Sequence, residues 1–389
     1  MLAFTFPGQG SQKPGMGSDW VDHPSWELVD EASQACGRDV ARLLLEADAD
    51  ELKATRNSQL STFVLSMVVL DAVERIGLVP SIAAGHSLGE YSALTATGVI
   101  SFEDGVRLVA ERGEAMQDAA EMTTGTMAAV LGLDDDKVVE ACGSVSEEVW
   151  VANYNAPGQV VIAGSPAGVE AAGAAAKELG AKRAMPLAVG GAFHTPFMAS
   201  AGDRLAKALS TVRFRAPAVP VVTNLDASAH EGADEWADLL RAQLTSPVRW
   251  RQSLYRLEEL GVTSFVELGP GAALTGMAKR TVGGTTVSVA KPSDLDSLIS
   301  DLESTDPATG SSVGENLFVT ERVVVTPSAG LFTPRQGLDV GADIAVGEVL
   351  GHVGDDPVVS PFEGTVMGVM AYEGERVTAR QPVAWLRTR

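Results

Sequence analysis

One short segment of the chain combines a candidate nucleophile with the glycines that would expose it. Gly85, Ser87 and Gly89 form a GxSxG pattern between a predicted strand and a predicted helix. Such a turn strains the serine at the end of the strand and presents its hydroxyl to a substrate. The pattern alone arises easily in a chain with 40 glycines, so its place between strand and helix carries the argument. The segment predicts a serine nucleophile at Ser87.

A serine hydroxyl becomes a good nucleophile only when a base takes its proton, and histidine suits that task near neutral pH. The chain has five histidines. Three lie in polar, loop or β-rich stretches: His23, His230 and His352. His86 adjoins Ser87, and adjacent side chains point apart at a turn, so His86 is expected to support the turn. His194 is then the candidate base, and a purely structural histidine is the alternative.

Arg112 interrupts the polarity pattern of a predicted amphipathic helix over residues 101–117. Most charged residues of this helix share one face, whereas Arg112 falls between Leu108 and Met116. A buried guanidinium without a partner is costly, and a carboxylate would satisfy it with two parallel hydrogen bonds. That carboxylate could belong to a substrate or to an acidic residue elsewhere in the fold. The sequence leaves both interpretations open.

The segments around these residues alternate between strands and helices. Residues 2–6 and 78–84 are predicted strands, and 61–76 is a predicted helix. Further strands near 219–223 and 264–267 alternate with helices toward residue 302. This pattern predicts an α/β fold whose large subdomain is hydrolase-like, with a parallel sheet.

A stretch in the middle of the chain has a different rhythm. From Thr126 to Val189 the predicted elements follow the order βαββαβ, with the turn residues NAPG between the two central strands. This order predicts an inserted ferredoxin-like small subdomain over 125–190. The large subdomain is then split between 1–124 and 191–302.

The last part of the chain has another composition. Residues 303–317 are small, polar and aperiodic, which predicts a linker. Residues 318–389 are rich in Val, Gly and Pro and contain short apolar runs at close spacing. They predict a small all-β domain.

Composition and charge exclude several classes of function. The chain carries 51 acidic and 29 basic side chains, a formal net charge of -22, and has no basic run, so nucleic-acid binding is not expected. It contains neither a secretory signal pattern nor an apolar stretch of about 18 residues, so we expect a cytoplasmic protein without membrane contact. Cys36 and Cys142 lie far apart, which predicts neither a disulfide framework nor a metal site.

Nine segments, in order, resemble the malonyl-CoA:acyl-carrier-protein transacylase family. They are FPGQGSQ, GHSLGEYSAL, RGEAMQ, GTMAAVLGL, NAPGQVVIAG, AFHTPFM, PVVTN, QLTSPVRW and ELGPGAALTGMAKR. The resemblance runs from about residue 2 to residue 290. The resemblance implies transfer of a malonyl group from malonyl-CoA to the phosphopantetheine thiol of holo-acyl carrier protein, in fatty-acid or polyketide biosynthesis. It implies a ping-pong mechanism and no metal or bound cofactor.

The resemblance also implies the roles of the catalytic residues. Ser87 attacks the malonyl thioester, and His194 acts first as base and then as acid. The family orients its histidine with a backbone carbonyl, and the matching residue here is Gln243. The backbone amides of Gln9 and Leu88 match the oxyanion hole, which stabilises negative charge on the thioester oxygen.

Three residues match substrate-binding positions of the family. Arg112 corresponds to the arginine that pairs with the malonyl carboxylate, which agrees with its unusual place on the helix. Phe193 matches a pattern associated with malonyl over methylmalonyl groups, because its ring would crowd an α-methyl branch. Asn155 matches a position lining the cleft, although its turn role is a sufficient structural explanation. Candidate contacts for the acidic carrier protein are Lys182, Arg183, Arg249, Lys279 and Arg280.

The C-terminal domain resembles a biotinyl/lipoyl-type barrel-sandwich domain. Residues 337–353 and 364–386 match its two halves, and SPFEG matches the turn between them. Such domains carry their prosthetic group on a lysine at a hairpin tip, but no lysine follows Lys291. We therefore expect no attached biotin or lipoate, and a docking, spacer or stabilising role, with a protein partner if the role is docking.

Two other functions use the same residues. A serine hydrolase or thioesterase would employ Ser87 and His194 but pass the acyl group to water. A non-catalytic scaffold would keep the serine turn only as a remnant. Arg112 and the ordered family segments favour acyl transfer over both.

Overall fold

The computed structural model describes residues 1–303, 321–354, 356–378 and 381–387. The chain divides into two compact units, Met1–Pro307 and Ala308–Arg389. The predicted linker, from residue 304 onward, lies outside the described residues. No described helix is both long enough and apolar enough to cross a membrane.

The described part of the first unit, residues 1–303, contains two sheets. Its strands are β1 (Leu2–Phe6), β2 (Ile82–Gly85), β3 (Thr126–Leu131), β4 (Val149–Ala156), β5 (Gln159–Gly164), β6 (Arg183–Pro186), β7 (Val221–Val222), β8 (Ala229–His230), β9 (Ser264–Leu268) and β10 (Thr285–Val289). The large sheet has the order β10-β9-β1-β2-β7-β8, parallel throughout except for the β7–β8 pair. β1 has its predicted bounds, whereas β2 begins four residues after the predicted start because Pro80 offers no N–H to the ladder.

Helices pack against the two sheets of the first unit. They are α1 (Glu27–Cys36), α2 (Val40–Leu45), α3 (Ala49–Lys53), α4 (Thr55–Arg75), α5 (Gly89–Ala96), α6 (Phe102–Met122), α7 (Asp135–Gly143), α8 (Pro166–Glu178), α9 (Ala199–Leu209), α10 (Trp236–Gln243), α11 (Trp250–Glu259), α12 (Ala273–Ala278) and α13 (Leu295–Glu303). α5 packs on β1 and β2, and α4 packs against β9 and along α6. The core includes the fully buried Phe4, Phe6 and Phe63, each of which contributes about 1.5–3 kcal/mol by burial.

The packing of α6 determines where Arg112 lies. The helix begins after Ser101, whose hydroxyl accepts a hydrogen bond from the Asp104 N–H at 3.1 Å. A Cβ at Gly113 would come within 2.8 Å of the Arg56 Cα, so this glycine lets α6 approach α4 closely. The next residue toward the N-terminus is Arg112, which is fully buried. The sequence pattern predicts this helix but not its extension to Met122.

The small sheet has the order β4-β5-β3-β6, with every neighbouring pair antiparallel. α7 and α8 connect these strands and pack against each other, which is the arrangement of a ferredoxin-like unit. Gly158, with φ of 66°, completes the turn between β4 and β5. Val248 bonds to both Ala152 and Tyr154 through the backbone and so ties this unit to the segment before α11.

The second unit consists of strands in its described part. They are β11 (Glu321–Val325), β12 (Gly330–Pro334), β13 (Asp343–Ile344), β14 (Val349–Val353), β15 (Asp356–Val359), β16 (Gly364–Val369), β17 (Arg376–Val377) and β18 (Pro382–Arg387). They form two antiparallel sheets, β11-β18-β16-β13 and β15-β14-β12-β17. Phe332, Leu350, Val366 and Leu386 are fully buried in its core. The unit is therefore all-β in its described part, as predicted.

Candidate active site

The candidate nucleophile lies where three neighbouring parallel strands end. β1 leads to Gln9, β2 leads to Ser87, and β7 leads to Asn224. Ligands of open α/β sheets bind outside the carboxyl ends of the strands. A cleft of about 250 Å³ opens there, and its lining includes Gln9, Ser87, Asn155, Phe193 and His194. The fold thus gathers residues that are distant in the sequence.

The turn at Ser87 depends on its two glycines. Ser87 has a φ of 52°, which is uncommon for a residue with a side chain. A Cβ on Gly85 would come within 1.9 Å of the Gly89 backbone, and one on Gly89 within 2.0 Å of the Phe6 carbonyl. The chain can therefore pass from β2 into α5 only with glycine at both positions. This geometry is that of a nucleophile elbow.

Ser87 and His194 are in direct contact. The Ser87 Oγ lies 2.8 Å from His194 Nε2, and His194 Nδ1 lies 2.9 Å from the Gln243 carbonyl oxygen. That carbonyl belongs to the last residue of α10, where helix carbonyls lack intrahelical partners. It can only accept, so Nδ1 donates and Nε2 is left to accept the serine proton. The arrangement suits general-base activation of Ser87.

His194 stays neutral over a wide pH range. It is only 4% exposed, and burial together with the nearby Arg112 guanidinium lowers its pKa to about 3. The hydrogen bond to the Gln243 carbonyl opposes this shift but does not cancel it. The imidazole is therefore present as the free base throughout the neutral range.

This low pKa predicts an unusual pH profile. We expect kcat/KM for malonyl-CoA, which reports the free enzyme, to show no inflection near pH 6.5 that belongs to His194, because its acidic limb is moved toward pH 3. Steady-state rates measured between pH 5 and pH 8 would test this, because that range includes the ordinary histidine pKa of roughly 6.5. Burial also raises the pKa of Glu90 to about 7, so Glu90→Gln is the control. An inflection that persists in this variant would contradict the prediction.

Arg112 lies next to the nucleophile. Its Nη2 atom lies 3.1 Å from Ser87 Oγ and 3.0 Å from Gln243 Oε1. Its Nη1 atom lies 2.6 Å from Gln59 Oε1. The guanidinium carbon also sits 5.3 Å from the centre of the Tyr91 ring. Within the described part of the chain, Arg112 forms no ion pair and its Nε has no partner. The internal ion pair considered from the sequence is absent there.

Two backbone amides next to the elbow are available as donors. In the described part of the chain, neither the Gln9 N–H nor the Leu88 N–H donates to a protein acceptor. Gln9 lines the cleft, and Leu88 directly follows Ser87. Amides of this kind can stabilise an oxyanion that develops on a bound thioester.

The structure places Phe193 and Asn155 at the cleft in different ways. Phe193 is 5% exposed and is among the residues that line the cleft. Asn155 Oδ1 lies 2.9 Å from His86 Nε2, so its side chain holds the histidine that precedes Ser87. His86 in turn packs edge-on against Trp250, with ring centres 5.7 Å apart. His86 therefore buttresses the elbow and does not contact Ser87 Oγ.

Sequence reasoning missed three polar residues that the structure brings to this site. Gln59, Glu90 and Asn224 are buried and bond to Arg112, Gln243 or Ser87. Each carries a polar side chain at a position that the fold buries completely or nearly so. Gln59 lies among the polar residues that open α4, before the apolar run that begins at Leu60, and so gave no sequence signal of its own. Glu90 and Asn224 gave none, since a glutamate after a glycine or an asparagine after a strand is common on surfaces.

Comparison with known proteins agrees with this geometry. Residues 3–298 match the family described as acyl transferase domain. The malonyl CoA-acyl carrier protein transacylase of Escherichia coli strain K12 is 45% identical over 294 residues, covering 74% of this chain and 94% of that protein. The protein of the same name from Bacillus subtilis strain 168 is 41% identical over 308 residues, covering 78% and 97%.

A solved structure extends the comparison to three dimensions. It is a malonyl-transacylase in complex with a holo type II polyketide-synthase acyl-carrier protein. Its similarity to this chain has a TM-score of 0.74 at 40% identity and covers 78% of this chain and 99% of that one. The family match ends at residue 298, before the second unit. By fold and by sequence, the chain belongs to the malonyl-CoA:acyl-carrier-protein transacylase family of acyl transferases.

Proposed function

We propose that this chain transfers a malonyl group from malonyl-CoA to the phosphopantetheine thiol of acyl carrier protein, through a malonyl ester on Ser87, in fatty-acid biosynthesis. The observation that carries the proposal is the pairing of two groups at one hydroxyl. Ser87 Oγ contacts both a neutral histidine and a buried arginine that has no carboxylate partner among the described residues. The B. subtilis and E. coli relatives match this chain over nearly their whole length, and both are named for the same transfer.

In the first half-reaction, the Ser87 hydroxyl attacks the thioester carbonyl of malonyl-CoA. His194 Nε2 takes the hydroxyl proton as the Oγ–C bond forms, and the Gln243 carbonyl stabilises the resulting imidazolium. The amides of Gln9 and Leu88 donate to the oxyanion of the tetrahedral intermediate. The C–S bond then breaks, and the imidazolium returns its proton to the departing CoA thiolate.

In the second half-reaction, the carrier-protein thiol takes the place of CoA. The neutral His194 removes the thiol proton, and the thiolate attacks the malonyl ester on Ser87. Collapse of the second intermediate breaks the Oγ–C bond, and the serine alkoxide regains its proton from His194. The enzyme returns to its starting state, so no cofactor is consumed.

The distances around Arg112 fit a malonyl group. The malonyl carboxylate is one methylene away from the attacked carbonyl, so it lies roughly 4 Å from the attacking oxygen. Arg112 Nη2 is 3.1 Å from Ser87 Oγ, which places the guanidinium within reach of that carboxylate. A charge-assisted, two-point hydrogen bond would then satisfy the buried cation. Phe193 would crowd an α-methyl substituent, which favours malonyl over methylmalonyl.

The same residues could in principle release the acyl group to water. A hydrolase that accepts simple acyl groups has no need for a buried cation beside the nucleophile, and an unpaired one would be costly. Transfer also agrees with the names of the relatives. We therefore favour the transferase over the hydrolase.

The acidic carrier protein needs a basic docking surface on this strongly acidic chain. Arg280 donates to Gln159 Oε1 at 2.6 Å, at the start of β5. The Lys182 side chain lies over Gly132, and Gly132 N–H donates to the Gly158 carbonyl next to Gln159. These contacts join Lys182 and Arg280 into one exposed patch at one end of the small sheet. We propose that this patch contacts the carrier protein.

A direct test follows the malonyl group. The purified protein is incubated with malonyl-CoA, the acylated residue is found by mass spectrometry, and holo-acyl carrier protein is then added. We expect malonyl on Ser87, its transfer to the carrier thiol, and no acylation of the Ser87→Ala variant. Free malonate without transfer would instead establish a hydrolase, and acylation of Ser87→Ala would exclude Ser87 as the nucleophile.

For the second unit, we propose a lipoyl-like barrel-sandwich fold. Strands β12, β13 and β14 repeat the long-short-long pattern of β16, β17 and β18. β13 pairs with β16, and β17 pairs with β12, so each half gives its short strand to the other half. β14 pairs with β15 as a hairpin, and the related domains carry their lysine at the tip of such a hairpin, whereas no lysine follows Lys291 in this sequence. We propose that it carries no biotin or lipoate and serves as a docking or spacer domain.

Deletion of residues 318–389 is expected to leave the transferase activity nearly unchanged. Every candidate site residue lies in the first unit, and the E. coli and B. subtilis relatives match it over 94% and 97% of their length. We expect kcat/KM within about twofold and a melting temperature of the first unit within roughly 2 °C. Rates and calorimetry would check both.

A matched variant distinguishes unfolding of the second unit from its complete removal. Phe332→Ala removes the largest fully buried side chain in the described part of the second unit and should cost about 3–5 kcal/mol in that unit alone. The transfer rate of Phe332→Ala should equal that of the deletion variant. A large loss of activity in either variant would assign the second unit a catalytic or stabilising role.

A further inference from the structure

Glu90 is a buried carboxylate that the proposed mechanism does not use. It is the second residue of α5, three residues after Ser87, and is only 1% exposed. Among the described residues it forms no ion pair within salt-bridge distance, and its Oε1 has no hydrogen-bond partner. A buried glutamate is costly unless its position brings a benefit. The hydrogen bonds that its other oxygen, Oε2, accepts indicate that benefit.

The Oε2 atom of Glu90 joins two segments that are far away in the sequence. It accepts a hydrogen bond from the Asn224 backbone N–H at 2.9 Å and another from Gln243 Nε2 at 3.0 Å. Asn224 follows β7, and Gln243 ends α10. One carboxylate oxygen therefore binds the backbone of Asn224 and the side-chain amide of Gln243.

The side chains of these two residues, Asn224 and Gln243, hold the turn at Ser87. Asn224 Oδ1 accepts from the Ser87 N–H at 2.6 Å, and Asn224 Nδ2 donates to the Gly85 carbonyl at 2.7 Å. Gln243 Nε2 donates to the Ser87 carbonyl at 3.0 Å. The N–H and the C=O of Ser87, the residue with the strained φ, are thus each bonded to the side chain of a residue to which Glu90 is hydrogen-bonded.

Glu90 also sets the orientation of the Gln243 amide. A carboxylate oxygen accepts, so the NH₂ group of Gln243 must face Glu90 and the Ser87 carbonyl. The Gln243 Oε1 is then left to accept from Arg112 Nη2 at 3.0 Å. With the amide reversed, an oxygen would face two acceptors and an NH₂ group would face a cation. The carboxylate thereby helps to hold the arginine beside the nucleophile.

We infer that Glu90 is a positioning residue for acyl transfer: through Asn224 and Gln243 it holds Ser87 in the strained conformation that directs Oγ toward His194. This inference rests on the proposed role of Ser87 as the acylated residue. A strained backbone conformation persists only where its surroundings over-determine it, and these contacts supply the constraint. Misplacement of a reacting atom by about 1 Å can cost roughly 10²-fold in rate.

The test uses a reagent that reports on Ser87 and not on Arg112. Phenylmethylsulfonyl fluoride forms a bond between Ser87 Oγ and its sulfur, releases fluoride, and has no carboxylate for the arginine. Its second-order rate constant with the full-length protein is measured by mass spectrometry of the Ser87 peptide. Labelling of Ser87 in the wild-type protein, and malonyl transfer by it, establish the proposed function independently of Glu90.

Three variants distinguish positioning from general stability. Glu90→Ala removes the shared acceptor, and we expect labelling to slow by about 10²-fold. Glu90→Gln keeps one carbonyl oxygen at the Oε2 position, so labelling should recover to within roughly 5-fold of wild type. Leu257→Ala truncates a fully buried side chain in a separate core cluster. It should lower the melting temperature without slowing the labelling.

A double variant tests whether Glu90 acts through Gln243. In Glu90→Ala/Gln243→Ala, labelling should be little slower than in Glu90→Ala, because one chain of contacts is broken twice. Additive losses would overturn the inference, and so would Glu90→Ala labelling within threefold of wild type. Glu90→Gln as slow as Glu90→Ala would also overturn it, since a neutral acceptor would then be insufficient.

Discussion

Replacing His194 with alanine is expected to lower kcat/KM for malonyl-CoA by about 10⁴-fold or more. The reason lies in the two hydrogen bonds of the imidazole. Nδ1 is committed to the Gln243 carbonyl, and Nε2 is left 2.8 Å from Ser87 Oγ as the acceptor. Among the described residues, the remaining group bonded to this hydroxyl is the Arg112 guanidinium, which cannot accept a proton. The measurement is the steady-state rate with saturating holo-acyl carrier protein.

The residual activity of the His194→Ala variant should have a different pH dependence from that of the wild type. Without the imidazole, the serine proton must go to solvent base, so the rate should rise about tenfold per pH unit in the alkaline range. The wild-type rate should not rise in this way, because its base is already free. His230→Ala is the matched control, since His230 pairs with Asp226 and Glu235 and not with Ser87. His194→Ala within tenfold of wild type would mean that another group is the base.

Much of the fold could be predicted from the sequence because its signals are local. Apolar runs ended by proline or glycine gave β1, and the βαββαβ order gave the small sheet. The strand β2 was placed too early because Leu78 and Val79 are apolar, yet the chain reaches the ladder only after Pro80. Val79 is 68% exposed, so an apolar side chain alone did not indicate burial there.

The site was predictable only where a residue type is unusual in its surroundings. Ser87 lies in a glycine pattern, and Arg112 lies on the apolar side of a helix, so both were visible in the sequence. Glu90 and Asn224 were not, because their importance comes from contacts across 134 positions of chain. A pairing of that length depends on the order of strands β1, β2 and β7, which local patterns do not determine.

The same reasoning separates the two roles of Gln243. Its backbone role followed from the family resemblance, which gave a carbonyl for the histidine. Its side-chain role follows only from the structure, where the amide contacts Ser87, Glu90 and Arg112 at once. A backbone role tolerates any side chain, whereas this network needs an amide with one donor side and one acceptor side. We therefore expect the side chain of Gln243, and not only its carbonyl, to matter for transfer.

Replacing Arg112 with methionine is expected to abolish the preference for malonyl-CoA. Removing one member of a buried, hydrogen-bonded charge pair costs about 2–5 kcal/mol, so kcat/KM for malonyl-CoA should fall by roughly 30-fold to several thousand-fold. Acetyl-CoA has no carboxylate, so its kcat/KM should fall much less. The malonyl-to-acetyl ratio, measured for both thioesters with the same carrier protein, should drop by about 10² or more.

The control variant Arg112→Lys keeps the charge but loses the planar two-point geometry. It should retain part of the malonyl preference, since an ammonium still attracts the carboxylate. Equal losses for both thioesters in Arg112→Met would mean that Arg112 only supports Gln59 and Gln243, to which it is bonded.

The arginine also links substrate choice to the base. In the free enzyme, Arg112 is the second cause, after burial, that lowers the pKa of His194. A malonyl carboxylate would neutralise the guanidinium and so relieve that part of the shift, whereas an acetyl group would not. Malonyl-CoA would thereby strengthen the base that its own transfer requires. Removing the cation should raise the pKa of His194 whichever thioester is bound, so acetyl-CoA would also meet the stronger base. The Arg112→Met variant should therefore lose selectivity for two reasons: weaker binding of the malonyl carboxylate and equal base strength for both substrates.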